Sequence, residues 1–190
     1  TTGNLNFAAI AAERALNRYS EHVHKVAILD IDLMHGEGTE EWVRDKEGSG
    51  RVMLCSLHVV TDEADGSFGR NDDLRGLVVN EALSPLWKTQ VAGNKKRHDT
   101  NRRPLGSGRG DFRDGVVRRL LPCVRAFGPD LIVLSIGFNG LTGDASNPRV
   151  DGCDAMNLVE EDYYWVTQQV MKVASVCCKG RVISILEERA

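Results

Sequence analysis

The stretch ILDIDLMHGEGTEEW, Ile28 to Trp42, sets Asp30, Asp32, Met34 and His35 at the point where an apolar run passes into a helical pattern. Carboxylates, a thioether and an imidazole this close together are the residue types that hold metal ions or move protons. Residues i and i+2 of a strand share a face, so Asp30, Asp32 and Met34 are expected on one side and His35 on the other. The alternative is structural: carboxylates at a buried strand end accept backbone and hydroxyl hydrogen bonds.

Two further strand ends carry polar residues, Cys55-Ser56-Leu57-His58 and Gly137-Phe138-Asn139-Gly140. Ser135 and Ser184 lack the G-x-S-x-G elbow of a nucleophilic serine and receive no role. His22, His24 and His58 show no metal-ligand spacing and are expected at the surface or in support of other groups. Tyr163, Tyr164 and Trp165 are expected to pack an amphipathic helix against the core. Cys55, Cys123, Cys153, Cys177 and Cys178 are odd in number and form no C-x-x-C pair, as reduced core thiols do in an intracellular compartment. Adjacent Cys177 and Cys178 are read as packing residues rather than a redox pair.

Helices and strands alternate along the chain. Helical spacing covers Ala8–Tyr19, Phe112–Phe127 and Val159–Val176, and a short helix with Glu40 and Glu41 in its first turn follows Thr39. Apolar, β-branched runs at Val26–Leu33, Arg51–Val60, Leu77–Ala82, Asp130–Ile136 and Arg181–Leu186 read as strands. Strands that are apolar on both faces imply an α/β domain, a three-layer α/β/α sandwich around a mainly parallel sheet, whose ligands bind beyond the carboxyl ends of the strands. One domain over residues 1–190 is expected. Residues 94–110 are polar, basic and glycine-rich and read as an exposed loop. Its Lys95, Lys96, Arg97, Arg102, Arg103 and Arg109 suit phosphates or an acidic partner, but no aromatics interleave to stack bases. A net charge of −3 argues against an all-basic nucleic-acid surface, and no run reaches the roughly 18 apolar residues of a membrane span.

The strand ends, taken in order, resemble the zinc-dependent histone deacetylases of the arginase/deacetylase fold. Asp30-Ile-Asp32-Leu-Met34-His35-Gly36-Glu-Gly38 is similar to D-x-D-x-H-H-G-D-G, and Cys55-Ser-Leu-His58 to the S-L-H strand. Gly128–Asp144, GPDLIVLSIGFNGLTGD, is similar to P-D-L-x-L-V-S-A-G-F-D-A-H-x-G-D, and Gly180–Ala190 to G-R-V-x-S-V-L-E-G-G-Y. The resemblance implies Zn²⁺ held by an aspartate, a histidine and a second aspartate, with a tyrosine polarising the substrate carbonyl. Those positions hold Asp32, Met34, Asn139 and Ala190. It also implies a structural potassium, which maps to Asp30, Asp32, Met34, Ser56 and Leu57.

Asp32 is thus the remnant of a zinc site whose catalytic positions Met34, Asn139 and Ala190 are degenerate. A thioether and a neutral amide do not replace an imidazole and a carboxylate around a dication, so no zinc cofactor is expected. The expected function is a catalytically degenerate deacetylase-like domain with a structural or protein-interaction role. An active zinc-dependent lysine deacetylase is the alternative, and an RNA- or anion-binding module through residues 94–119 the third. By resemblance the sheet order is Arg181–Leu186, Asp130–Ile136, Val26–Asp32, Arg51–Leu57, Leu77–Ala82, and the N-terminal part of the fold is expected to precede Thr1. The Arg181–Leu186 edge would then need cover from another protein subunit or a further segment.

Overall fold

The computed structural model describes residues 5–60, 77–87 and 108–186. Ala190 and most of the basic loop expected at residues 94–110 lie outside the described residues.

The elements are α1 (Phe7–Arg18), β1 (Val26–Ile31), α2 (Glu37–Asp45), β2 (Val52–Val59), β3 (Val78–Leu83), α3 (Arg109–Gly115), a π-helical turn (Val116–Leu120), α4 (Leu121–Phe127), β4 (Leu131–Ile136), the two-residue strands β5 (Arg149–Val150) and β6 (Cys153–Asp154), α5 (Glu160–Cys177) and β7 (Val182–Leu186). Five strands form one sheet in the order β3-β2-β1-β4-β7, and every pairing in it is parallel. This is the order expected from the sequence. All six residues of β1 and β4 and all eight of β2 are buried, which explains their lack of polar alternation.

The sheet divides two cores. Val26, Ile28, Val52, Leu54, Leu131 and Val133 face one side, where α1 presents Ala8, Ala12, Ala15 and Leu16 and α2 presents Val43. The alternate residues Ala27, Leu29, Met53, Cys55, Ile132 and Leu134 meet Phe112, Val116, Leu120 and Val124 together with Val166, Val170 and Ala174 of α5. Gly115 lets the α3 segment approach closely, since a Cβ there would lie 3.0 Å from both Leu57 and Glu81 side-chain carbons. The π turn and the β5–β6 hairpin had no counterpart in the sequence reading. That hairpin turns through Asp151 and Gly152, both at positive φ, the geometry Asp-Gly favours.

The start of α5 is fastened by Asp162, whose side chain is fully buried. It accepts from Arg109 Nε at 2.6 Å, from Arg113 Nη2 at 2.7 Å and from the Val159 backbone N–H at 3.0 Å. Burial alone would raise its pKa, but the Val159 N–H and the two guanidinium groups outweigh this and hold it below the usual carboxylate range. Both arginines are more than a third exposed, so solvent screens their share and the hydrogen bonds dominate. Asp162→Ala is expected to cost about 2 kcal/mol, a drop of about 4–8 °C in Tm, measured by thermal unfolding against the parent chain.

All five cysteines are free, with Cys55 and Cys178 buried. Tyr163 is buried and Trp165 is partly buried beneath the Arg113 guanidinium, but Tyr164 is 67% exposed, so only two of these three aromatics pack inward.

Candidate functional site

The chain runs outward from β1 through β2 to β3, then returns to lay β4 against the other flank of β1. The crevice at such a reversal, beyond the carboxyl ends of the strands, is where doubly wound sheets bind ligands. Here it brings together the segment after β1 and the Gly137–Gly140 break after β4.

Asp32 and Asn139 meet in it. Asn139 Nδ2 donates to Asp32 Oδ1, while Asn139 Oδ1 accepts from the Leu33 backbone N–H at 3.2 Å. The Met34 N–H also reaches Asp32 Oδ1, at 3.4 Å. One amide side chain therefore bridges a carboxylate and a backbone donor and uses both of its ends to do so. For a zinc ion Asp32 and Asn139 offer one carboxylate and an amide oxygen already engaged, which does not suit a tetrahedral dication.

The expected alternation along the motif stops at Ile31, the last residue of β1, so Asp32 and Met34 lie beyond regular strand geometry. His35 turns to Glu40, with Nε2 2.9 Å from Oε2, and packs against His58 with ring centroids 4.4 Å apart and the ring planes tilted by 45°. Glu40 is 3% exposed and also binds Arg44 at 2.7 Å and Asn80 Nδ2 at 3.0 Å. Burial would raise the Glu40 pKa, but the hydrogen bonds from His35, Asn80 and Arg44 prevail and bring it down to about 2. Burial and the neighbouring His35 push His58 down to about 4, so its ring stays neutral beside the Ser56 hydroxyl 3.1 Å away. The sequence gives Glu40 only a place in a helical first turn and leaves His58 between the surface and a role in support of other groups, and the structure places it in the latter. The side-chain partners of Glu40 and the burial of His58 carry no local sequence signal.

Asp30 and Ser56 sit side by side in the β1–β2 register, with Leu57 next along β2, and all three are buried. Gly36 closes over Asp30: a Cβ at that position would lie 2.5 Å from Asp30 Oδ2. Carboxylate and hydroxyl here are oxygen donors of the kind hard cations prefer, and the family resemblance would add backbone carbonyls to make the set all-oxygen. Among the described residues no group of three or more His, Cys, Asp and Glu side chains is arranged to hold a metal ion.

The described arginines of residues 94–119 are committed elsewhere. Arg109 and Arg113 bind Asp162, Arg118 binds Asp114, and Arg119 binds Glu81. No described helix is long and apolar enough to cross a membrane.

A family model described as "Histone deacetylase domain" matches residues 4–187. The chain is 29% identical over 183 residues to Type-2 histone deacetylase 2 of Dictyostelium discoideum, covering 96% of this chain and 9% of that protein. It is 28% identical over 187 residues to Histone deacetylase 8 of Arabidopsis thaliana, covering 96% of this chain and 42% of the relative. Among solved structures, that of the histone deacetylase Clr3 superposes with a TM-score of 0.69 at 23% identity, over 96% of this chain and 27% of its own. The HDA15 HD domain superposes with a TM-score of 0.61 at 25% identity, over 94% and 43%. The chain thus spans less than half the length of these relatives. With the family model matching nearly its whole length and the parallel sheet superposing on deacetylase structures, the chain belongs to the histone deacetylase family.

Proposed function

We propose that the chain is a catalytically degenerate histone-deacetylase-like domain, a pseudoenzyme that serves a larger assembly through its surfaces. The observation that carries this reading is the Asn139 amide bonded to Asp32 where family resemblance implies two carboxylates sharing a zinc ion. An N–H donor turned toward the carboxylate occupies the direction from which a cation would approach, and Met34 supplies no imidazole to compensate. What survives is a scaffold for the all-oxygen site. Asp30, Ser56 and the backbone carbonyls of Asp32, Met34 and Leu57 would hold a potassium ion there, neutralising buried carboxylate charge between β1 and β2.

The interaction role is supported by the outer strand. Among the described residues β7 pairs only with β4, so its other edge offers unpaired backbone groups, and Ile183 and Leu186 are 43% and 52% exposed. Native proteins cover such edges, which suits a partner subunit or a further segment of the polypeptide.

Metal analysis of the purified protein, run beside turnover of an acetyl-lysine peptide, tests the catalytic half of the proposal. Substoichiometric zinc and no turnover are expected. One zinc per chain with acetate release would establish instead an active zinc-dependent amidohydrolase.

A further inference from the structure

The break after β4 borders a partly open pocket of about 20 Å³, lined among others by Asp32, His58, Asn139, Gly140, Leu158 and Tyr163. Its size is decisive. A site needs about 10–15 Å³ to hold one water molecule, and 20 Å³ leaves no room for an acyl chain.

Tyr163 reaches this pocket from α5, and its side chain is only 8% exposed. The ring is held edge-on against Phe138 with centroids 5.0 Å apart. Its hydroxyl is buried with the Gly140 backbone N–H beside its oxygen, and the O–H finds no acceptor among the described residues. Gly140 forms the wall beside it, since a Cβ there would lie 3.2 Å from the hydroxyl oxygen and 3.1 Å from Leu158. Burial raises the phenol pKa, outweighing the Gly140 N–H that lowers it and joined by the Asp32, Asp144 and Asp162 charges, so the group keeps its proton and acts as a donor. The described bonds to Asp32 both fall on Oδ1, from Asn139 and from the Met34 N–H, and Oδ2 receives neither. A buried O–H without an acceptor and the Asp32 carboxylate, an acceptor, therefore line one cavity of the right size for a single guest.

We propose that this pocket holds one buried water molecule, which accepts from the Tyr163 hydroxyl and donates to the Asp32 carboxylate. The water gives α5 a polar tie to the end of β1, at the place where the family would set a cation. Water fits better than a bare cation because the guest must accept an O–H proton as well as satisfy a carboxylate, and a cation accepts nothing. The inference holds whether or not the domain meets a partner at β7.

A high-resolution crystal structure of the parent chain tests it, together with the Tyr163→Phe variant, which keeps the ring packing. The expected result is a single peak within hydrogen-bond distance of Tyr163 Oη and Asp32 Oδ2 in the parent, lost in the variant. Water–protein NOEs between the Tyr163 hydroxyl and a long-lived water supply a second readout in solution. An empty pocket, or a Tyr163 hydroxyl bonded directly to a protein carbonyl, overturns the proposal and leaves the pseudoenzyme reading standing. An anomalous peak at this point after a rubidium soak overturns it in favour of a monovalent cation. A zinc anomalous signal would sink both.

Discussion

Changing Met34 to His and Asn139 to Asp together is expected to give a chain that binds zinc one to one, where the parent is expected to hold it only substoichiometrically. The double change restores the donor types that the family resemblance implies, a carboxylate at 32, an imidazole at 34 and a carboxylate at 139. The single steps are informative. Asn139→Asp replaces a donor by a second carboxylate against Asp32, which is 7% exposed, and like charges in such a place resist joint ionisation. Without metal that variant is expected to lose about 2–4 kcal/mol at neutral pH. In the double variant, free zinc at a hundred times its Kd would restore about 2.7 kcal/mol. Zinc titration followed by calorimetry and thermal unfolding checks both statements. A double variant indifferent to zinc, with a neutral Asn139→Asp, would refute the view that residues 34 and 139 alone separate this site from a metal site.

The second large effect is acid sensitivity in two stages. The folded pKa of His58 is about 4 against an ordinary 6.5, so as pH falls below 6.5 the unfolded chain takes up a proton that the folded chain refuses. Stability conferred by the neutral, buried ring is fully present above pH 6.5 and is lost progressively down to about 4. Glu40 follows the carboxylate case. Its folded pKa is about 2 against an ordinary 4.5, so its contribution is present above pH 4.5 and is lost as pH falls toward 2. At ~1.4 kcal/mol per pH unit, each gap corresponds to on the order of 3 kcal/mol. Tm is therefore expected to fall by about 6–12 °C between pH 6.5 and 4, and to fall again below. His58→Asn, which keeps a polar group near Ser56, should flatten the first stage only, and Glu40→Gln the second only. A Tm that does not change between pH 7 and 4 would show that the His35–His58–Glu40 cluster is not the buried unit described here.

The strands were legible because a parallel sheet covered on both faces requires continuous apolar runs, and Val26–Ile31, Val52–Val59 and Leu131–Ile136 display them openly. Helix α5 was legible for a similar reason, its acidic first turn and apolar spacing being local properties. The π turn at Val116–Leu120 was not, because its backbone differs from an α-helix by a local shift that side-chain spacing does not record.

By itself the sequence determined that these runs form strands and helices, and that carboxylates and hydroxyls fall at strand ends, since both follow from residue type and short-range period. Its motif spacing also carried the family. Only the tertiary structure decided what those groups touch: Asn139 meets Asp32 across 107 residues of chain, and Asn80 meets Glu40 across 40. Periodicity tells which way a side chain leaves a regular element, and it stops telling at Ile31, where the strand ends. Beyond that point the directions of Asp32 and His35 are set by packing against elements distant in sequence, which no local pattern encodes.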